Sequence, residues 1–377
     1  MDKSPKNLRI GILTSAINRP SLTPLSNFID ILSRITPELY LITGNEGFTN
    51  FRNNSKVQTF GYNYVIERSR FLKIAHYLSG QIQSSCFMIR LSKKVDFWIF
   101  FTGGEMLVLP MFIARLLQKP VTLYIPGSSV RDGEFSGDSF VFVTRYLSKI
   151  TRKYADHIII YSENLIEEWD LQKYRKKIII AHRHFLDFDT FRITTPFLLR
   201  SLTIGYIGRL SGEKGVSGFI HSLPAILLTD KTLHVLICGD GPLKEEIENF
   251  LKEHHITDRV RLSGWVPHED LPEYLNQMKL LVIPSYTEGL PNIMLESMAC
   301  GTPVLATPVG AIPDVIKEGK TGFIMKDNSP ECIEENIIRA LACPDLARIS
   351  ENGREAVLEN YAFEKTVDMW KKIINNM

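Results

Sequence analysis

Short apolar, β-branched runs alternate with segments of helical period along nearly the whole chain. The first run is LRIGILT, followed by a helix-like stretch from Ser26 to Arg34; ELYLIT, VDFWIFF, KPVTLYI and HIIIYS come next, each bounded by turn residues. A second series begins after FRITTPFLL. Its strand-like runs are LTIGYIG (Leu202–Gly208), LHVLICG (Leu233–Gly239), RVRLSG (Arg259–Gly264), KLLVIPS (Lys279–Ser285) and PVLATP (Pro303–Pro308), separated by helical segments such as PLKEEIENFLKEHH. Strands alternating with helices build a parallel sheet covered by helices on both faces. The pattern predicts an α/β protein of two doubly wound, Rossmann-like domains. The first spans residues 1–192 and is completed by a C-terminal helix over 361–377; the second spans 193–360, with the join near Asp189 to Leu199.

Composition agrees with this picture. A chain of 377 residues, 44% hydrophobic and 23% charged, has apolar material for two cores. MDKSPKNLRIGILTS lacks the apolar region of a secretory signal, so a cytoplasmic protein is expected. In the most apolar stretch, Val95 to Leu117, Asp96, Glu105, Arg115 and the Gly103-Gly104 break argue against a membrane-spanning helix. The five cysteines form no CxxC pair, which argues against a metal site or a disulfide framework. The net charge of +2 conceals a split. Residues 1–195 hold 26 Lys and Arg against 17 Asp and Glu, a net of +9, which leaves −7 for the remainder. Such asymmetry suggests that the first half faces an anionic partner.

Four loops of the second series fall where strands lead into helices, the place where doubly wound sheets bind ligands. GRLSGEKG offers Gly208, Gly212 and Gly215 for tight turns, and the cations Arg209 and Lys214. Glycines let backbone N–H groups approach a phosphate that the cations neutralise; a solvated surface loop is the plainer reading. CGDGPL, with Gly239 and Gly241, lacks the GK[ST] of a Walker A loop and reads equally well as a simple strand-to-helix turn. SGWVPHED is the third loop. In the fourth, SYTEGLPNIMLESMACGTPVLA, Glu288 and Glu296 are separated by seven residues. Pro291 fits the first position of a helix, which would put the N–H groups of Gly289 and Leu290 beside its positive end, a seat for pyrophosphate. If the stretch were wholly helical, the two glutamates would lie about 12 Å apart along the axis. A glycosidase pair works across roughly 5–9.5 Å. Grips on two polyols at the ends of a diphosphate suit the arrangement better, and they describe a nucleotide-sugar. The plainer alternative makes Glu296 a buried helix residue paired with a lysine.

The stretches GRLSGEKG, ICGDGPLKEEI, RVRLSGWVPHEDLPEYL, LLVIPSYTEGLPNIMLESMACGTPVLATPVGAIPDVI and GKTGFIM resemble the family-four retaining glycosyltransferases, glycosyl transferases group 1, over most of Ile204 to Met325. The resemblance implies the GT-B fold: two Rossmann-like domains with a cleft between them, closing on the donor by hinge motion. It implies hexosyl-type transfer from a nucleoside-diphosphate-sugar, UDP- or GDP-linked, to a glycan or lipid-linked acceptor, as in cell-surface polysaccharide or glycolipid synthesis. The anomeric configuration is retained, and neither metal nor cofactor takes part. By the same resemblance Arg209 and Lys214 bind the diphosphate, with Gly208 and Gly239 lining the donor site. Glu288 holds sugar hydroxyls, Gly289 and Leu290 bind phosphate through N–H groups, Glu296 holds the ribose, and Trp265 and Val266 lie against the base. The catalytic set is Glu288, Arg209 and Lys214. The DFD at Asp187–Asp189 falls at the expected domain-linking loop and is not read as a metal site.

The first half resembles the family only in outline. GILTSAINRPSLTPLS lacks Gly-Gly, and the family's histidine after the strand matching KPVTLYI is replaced by Pro126-Gly127-Ser128. Pro126, Gly127, Ser128 and Arg131 are therefore the acceptor-side candidates, and an ordinary loop is the alternative. His182 and His184 have metal-like spacing without further ligands. The missing histidine also keeps open a non-catalytic GT-B protein that binds a nucleotide-sugar or a partner; an epimerase or phosphorylase is a further rival. Finally, Arg68–Lys94 places Phe71, Leu72, Ile74, Ala75 and Leu78 near one helical face, with basic residues beside them. That pattern predicts either a core-facing helix with a basic rim or peripheral contact with an anionic membrane at its inner face. Nothing points to nucleic acid.

Overall fold

The structure is a computed structural model that describes residues 8–62, 70–137 and 140–377. It divides into two compact units, residues 1–184 with 364–377, and residues 185–363.

The first unit holds β1 (Ile10–Ile17), β2 (Leu39–Asn45), β3 (Gln58–Tyr62), β4 (Phe97–Phe100), β5 (Val121–Tyr124), β6 (His157–Ile160) and β7 (Ile178–Ile180). They form one parallel sheet in the order β3-β2-β1-β4-β5-β6-β7. The second unit holds β8 (Thr203–Ile207), β9 (His234–Cys238), β10 (Val260–Gly264), β11 (Leu280–Ile283), β12 (Val304–Ala306) and β13 (Phe323–Ile324), parallel in the order β10-β9-β8-β11-β12-β13. In both sheets the strand order reverses beside the first strand, between β1 and β4 and between β8 and β11. A crevice forms there at the carboxyl ends of the strands. The expected class, two doubly wound α/β sheets, is the observed one. Three short strands, β3, β7 and β13, join those read from the apolar runs.

The helices that matter below are α1 (Arg70–Leu91), α2 (Val108–Leu116), α3 (Ser129–Ser136), α4 (Val141–Tyr154), α5 (Asn292–Ala299) and α6 (Phe363–Asn375). Burial of α6 against the first unit follows from its amphipathic spacing. Trp370 packs on Phe28 at 4.8 Å, Phe28 stacks on Phe101 at 4.9 Å, and the Trp370 indole donates to the His182 carbonyl at 2.7 Å.

In α1 the expected polarity is inverted. Gly80, Gln81, Ser84 and Met88 are buried, whereas Leu72, Ile74, Leu78, Ile82 and Ile89 are exposed. Gln81 sets this orientation. Its amide donates to the Met106 carbonyl at 2.7 Å and accepts from the Leu109 N–H at 3.0 Å, so the polar face meets the start of α2. The core-facing reading of this helix is thereby corrected for Leu72, Ile74, Ala75 and Leu78, all of them exposed. Arg68 and the side chains of Phe71 and Lys73 lie outside the described residues.

The second unit is held beneath its sheet by the Arg200 guanidinium, which is 5% exposed. It donates to the carbonyls of Thr195, Met278, Cys300 and Gly301, to Thr302 Oγ1 and to Asn276 Oδ1, at 2.7–3.2 Å. Burial lowers its pKa to about 10, so it stays charged at neutral pH, held by neutral acceptors and by the Phe197 ring at 5.7 Å. Arg200→Ala strands several buried carbonyls and is expected to cost about 3 kcal/mol. A lower urea midpoint, with faster amide exchange in β11 and β12, is the predicted outcome; an unchanged midpoint contradicts it.

Candidate donor-binding site

The loops that follow β8, β9, β10 and β11 sit at the carboxyl ends of their strands, and the first and last of them flank the crevice between β8 and β11. Glycine allows the two flanking loops to touch. Gly215 has φ +64°, and a Cβ there would lie 1.8 Å from the Pro284 carbonyl oxygen. Gly239 plays the same part next door, where a Cβ would lie 1.9 Å from the Gly208 oxygen. Glu213 adds a tie between the flanking loops, because its carbonyl accepts from the Tyr286 N–H at 3.0 Å.

Lys214 and Glu288, 74 positions apart in sequence, meet in this crevice at 2.7 Å. Ser285 Oγ donates to the same Glu288 oxygen at 2.8 Å, so the carboxylate is oriented from two sides. Arg209 stays mostly exposed, its guanidinium 3.9 Å from Glu213. The loop that bears Arg209 is pinned by the Tyr206 hydroxyl, which donates to the Arg209 carbonyl at 2.7 Å. Burial, with the Glu288 and Glu213 charges nearby, pushes the Tyr206 pKa well up, so this hydroxyl keeps its proton.

Helix α5 starts one residue later than the spacing suggested. Pro291 is its N-cap residue in an extended conformation, and Asn292 is the first helical residue. The N–H groups of Gly289 and Leu290 donate to no acceptor among the described residues. The Gly289 carbonyl accepts from Ala311 N–H at 2.8 Å, which fixes the peptide in place. Free N–H groups at a helix start favour an anion.

Glu296 lies inside α5 and is 4% exposed. Its partner is His268, with Nε2 at 2.8 Å from Oε1, rather than the lysine that was the plainer sequence alternative. Phe191 packs against the imidazole at 5.2 Å. His268 escaped notice in the sequence because it lies 28 positions from Glu296; only its place in the loop SGWVPHED marked it. Trp265, in the same loop, is 72% exposed, and Val266 is half-buried.

The acceptor-side candidates belong to the other unit. Ser128 is buried and caps α3 by accepting from Arg131 N–H at 3.3 Å, while the Arg131 guanidinium donates to the Glu168 carbonyl. Pro126 and Gly127 precede it, and a Cβ on Gly127 would meet open space. The DFD tract is a turn in which Asp187 accepts from the N–H groups of Asp189 and Thr190 and from the Thr190 hydroxyl at 2.7 Å. His184 is buried and His182 is half-buried; burial lowers both pKa values, that of His182 to about 4. Among the described residues no cluster of His, Cys, Asp and Glu is suited to a metal.

The His268–Glu296 pair carries a pH signature. The hydrogen bond to Glu296 raises the His268 pKa above its ordinary value of 6.5. A raised folded-state pKa gives stability that is complete below the unfolded value and lost as pH rises through the folded one. The stability difference between wild type and His268→Gln is therefore expected to be largest below pH 6.5 and to fade as pH rises above the raised His268 value. A difference that grows with pH in thermal melts rules the pairing out.

Residues 187–356 match the family model described as glycosyl transferases group 1. An uncharacterised glycosyltransferase of Methanocaldococcus jannaschii is 25% identical, over 75% of this chain and 76% of its own. The N-acetyl-alpha-D-glucosaminyl L-malate synthase of Bacillus anthracis is 33% identical, over 40% of this chain and 39% of its own. The alignment spans less than half the length of several such relatives, including the alpha-D-kanosaminyltransferase of Streptomyces kanamyceticus, of which 42% is covered. In fold, Anabaena HepE in complex with UDP superposes with a TM-score of 0.77 at 14% identity, covering 98% of this chain and all of HepE. The two parallel sheets and the superposition on HepE give the chain the GT-B fold, and its second unit resembles the glycosyl transferases group 1 over residues 187–356.

Proposed function

We propose that this protein is a retaining glycosyltransferase that moves a sugar from a nucleoside-diphosphate-sugar to a glycan or lipid-linked acceptor. The observation that carries the reading is the Lys214–Glu288 pair beside the free N–H groups of Gly289 and Leu290. A cation, a carboxylate and a helix start converge there on one small volume. A diphosphate seated on the N–H groups has Lys214 and Arg209 within reach of its developing negative charge as the glycosyl bond breaks. Glu288, oriented by Ser285 and Lys214, is placed to grip hydroxyls of the sugar. Glu296 exchanges its His268 hydrogen bond for ribose hydroxyls, and the exposed Trp265 offers a face for the base to stack on. The acceptor attacks from the face that the phosphate leaves, so the configuration is kept without a protein nucleophile. The relatives named for sugar transfer favour a transferase, and HepE solved with UDP-glucose favours a uridine diphosphate donor.

Four variants test this division of labour by calorimetry with UDP and by donor turnover. Arg209→Ala and Lys214→Ala should each weaken UDP binding by about 1.5–3 kcal/mol, the worth of a charge-assisted hydrogen bond. Glu296→Ala should also weaken UDP, whereas Glu288→Ala should spare UDP and abolish sugar transfer. Equal UDP affinity in all four variants removes the assignment. A non-catalytic nucleotide-sugar binder, the reading left by the absent histidine, would show UDP affinity without turnover.

The acceptor side suggests contact with an anionic membrane. Exposed aliphatic residues of α1 are joined by Leu109, Phe112 and Leu116 of α2 and by Phe142, Val143 and Tyr146 of α4, and α2 packs against both other helices. Arg90, Lys93 and Lys94 are exposed at the end of α1. Apolar side chains rimmed by cations suit an interfacial surface, with about 1 kcal/mol from each basic residue near anionic lipid. No helix among the described residues is long and apolar enough to cross a membrane. Flotation with phosphatidylglycerol vesicles should recover the protein at low salt and lose it at high salt. Leu78→Asp with Ile82→Asp, or Lys93→Glu with Lys94→Glu, should prevent recovery. Failure of the wild type to float at low salt ends the membrane claim and leaves the transferase reading intact.

A further inference from the structure

Within the first unit, α3, α4 and the segment after β6 enclose a cavity of about 830 Å³ that begins at Ser128 and Arg131. The volume is in the range of small-ligand sites. Its wall is rich in hydrogen-bond donors. Helix α4 contributes Arg145, Lys149, Arg152 and Lys153, at the four-, seven- and eight-residue spacings that share a helical face, and the segment after β6 adds Lys173.

Two of these cations are neutralised locally. Arg152 is bound to the buried carboxylate of Glu105 at 2.6 Å, and Arg145 pairs with Glu134. Arg131 is directed to the Glu168 carbonyl. Lys149, Lys153 and Lys173 make no ion pair among the described residues, and of the lining acids only Glu168 and Asp170 remain to oppose them and Arg131. Trp169 also lines the cavity with a buried side chain, and its indole N–H has no acceptor among the described residues. A net positive wall selects for negative charge.

We propose that this cavity is a subsite for a phosphate group, so that the acceptor of the transferase is phosphate-bearing. This rests on the transferase reading only in calling the ligand an acceptor; the phosphate site stands on the cavity itself. It also gives Ser128 and Arg131 a role in place of the absent histidine: they form the mouth of an anion pocket. Lys149 on α4 and Lys173 in the segment after β6 are the residues that hold the phosphate.

The test is calorimetry on the full chain with UDP at saturation, so that the donor site is filled. The probes are glycerol 3-phosphate, dihexanoylphosphatidylglycerol below its micelle concentration, and glycerol as the neutral control. Either phosphate probe should bind while glycerol does not, and the tighter of the two tells a free phosphate from a lipid headgroup. In Lys149→Glu/Lys173→Glu the phosphate affinity should fall at least tenfold with UDP affinity kept, while Lys149→Arg/Lys173→Arg, which preserves charge, should retain both. Equal phosphate binding in wild type and the glutamate variant overturns the subsite, as does binding of neither probe. Failure of UDP to bind the wild type counts instead against the donor site, and the same titration without UDP then still decides the cavity.

Discussion

The close approach of two loops at the reversal point of the second sheet is the constraint on which the candidate site depends. Neighbouring strands β8 and β11 send their chains to opposite faces, and the loops that follow them must pass almost in contact. Any side chain at Gly215 would collide with the Pro284 carbonyl. With that position empty, Lys214 on one loop reaches Glu288 on the other. The ion pair does more than hold the loops. It orients a carboxylate that Ser285 also holds, one residue before N–H groups that lack acceptors. A site of this kind binds through groups already in position, so little ordering accompanies binding.

The sheets were legible because parallel strands buried on both faces read as continuous apolar runs. VDFWIFF and KLLVIPS contain β4 and β11, each strand being four residues within its seven-residue run. The missed strands fail that test for physical reasons. β7 is three isoleucines directly behind Lys176 and Lys177, β13 is two residues long, and β3, QTFGY, begins with an exposed glutamine. The candidate site was legible loop by loop, because glycines and charges after strands announce themselves. Its cross-links were not. Lys214 with Glu288 and His268 with Glu296 are juxtapositions created by topology, and no local period encodes them.

Helix α1 shows where periodicity misleads. Its aliphatic stripe has the spacing of a core-facing helix, yet the face that packs is Gly80, Gln81, Ser84 and Ser85, with Met88 and Leu91 at its end. Two hydrogen bonds from Gln81 to the start of α2 decide the rotation, because a buried amide must find partners. The stripe is left to meet something else. With the basic cavity beside α4, it leaves the first unit an exposed apolar and positively charged surface, in keeping with its excess of positive charge.

The central claim is that the second unit holds a nucleotide-sugar while its sugar is transferred with the configuration kept. Proton NMR of the anomeric signal tests it most directly: the full chain is incubated with a panel of UDP- and GDP-linked α-hexoses and a mixed pool of phosphate-bearing acceptors. The account predicts turnover of at least one donor and a first-formed product with the donor's α configuration. A β-configured first product, or no turnover of any donor despite tight UDP binding, would contradict it.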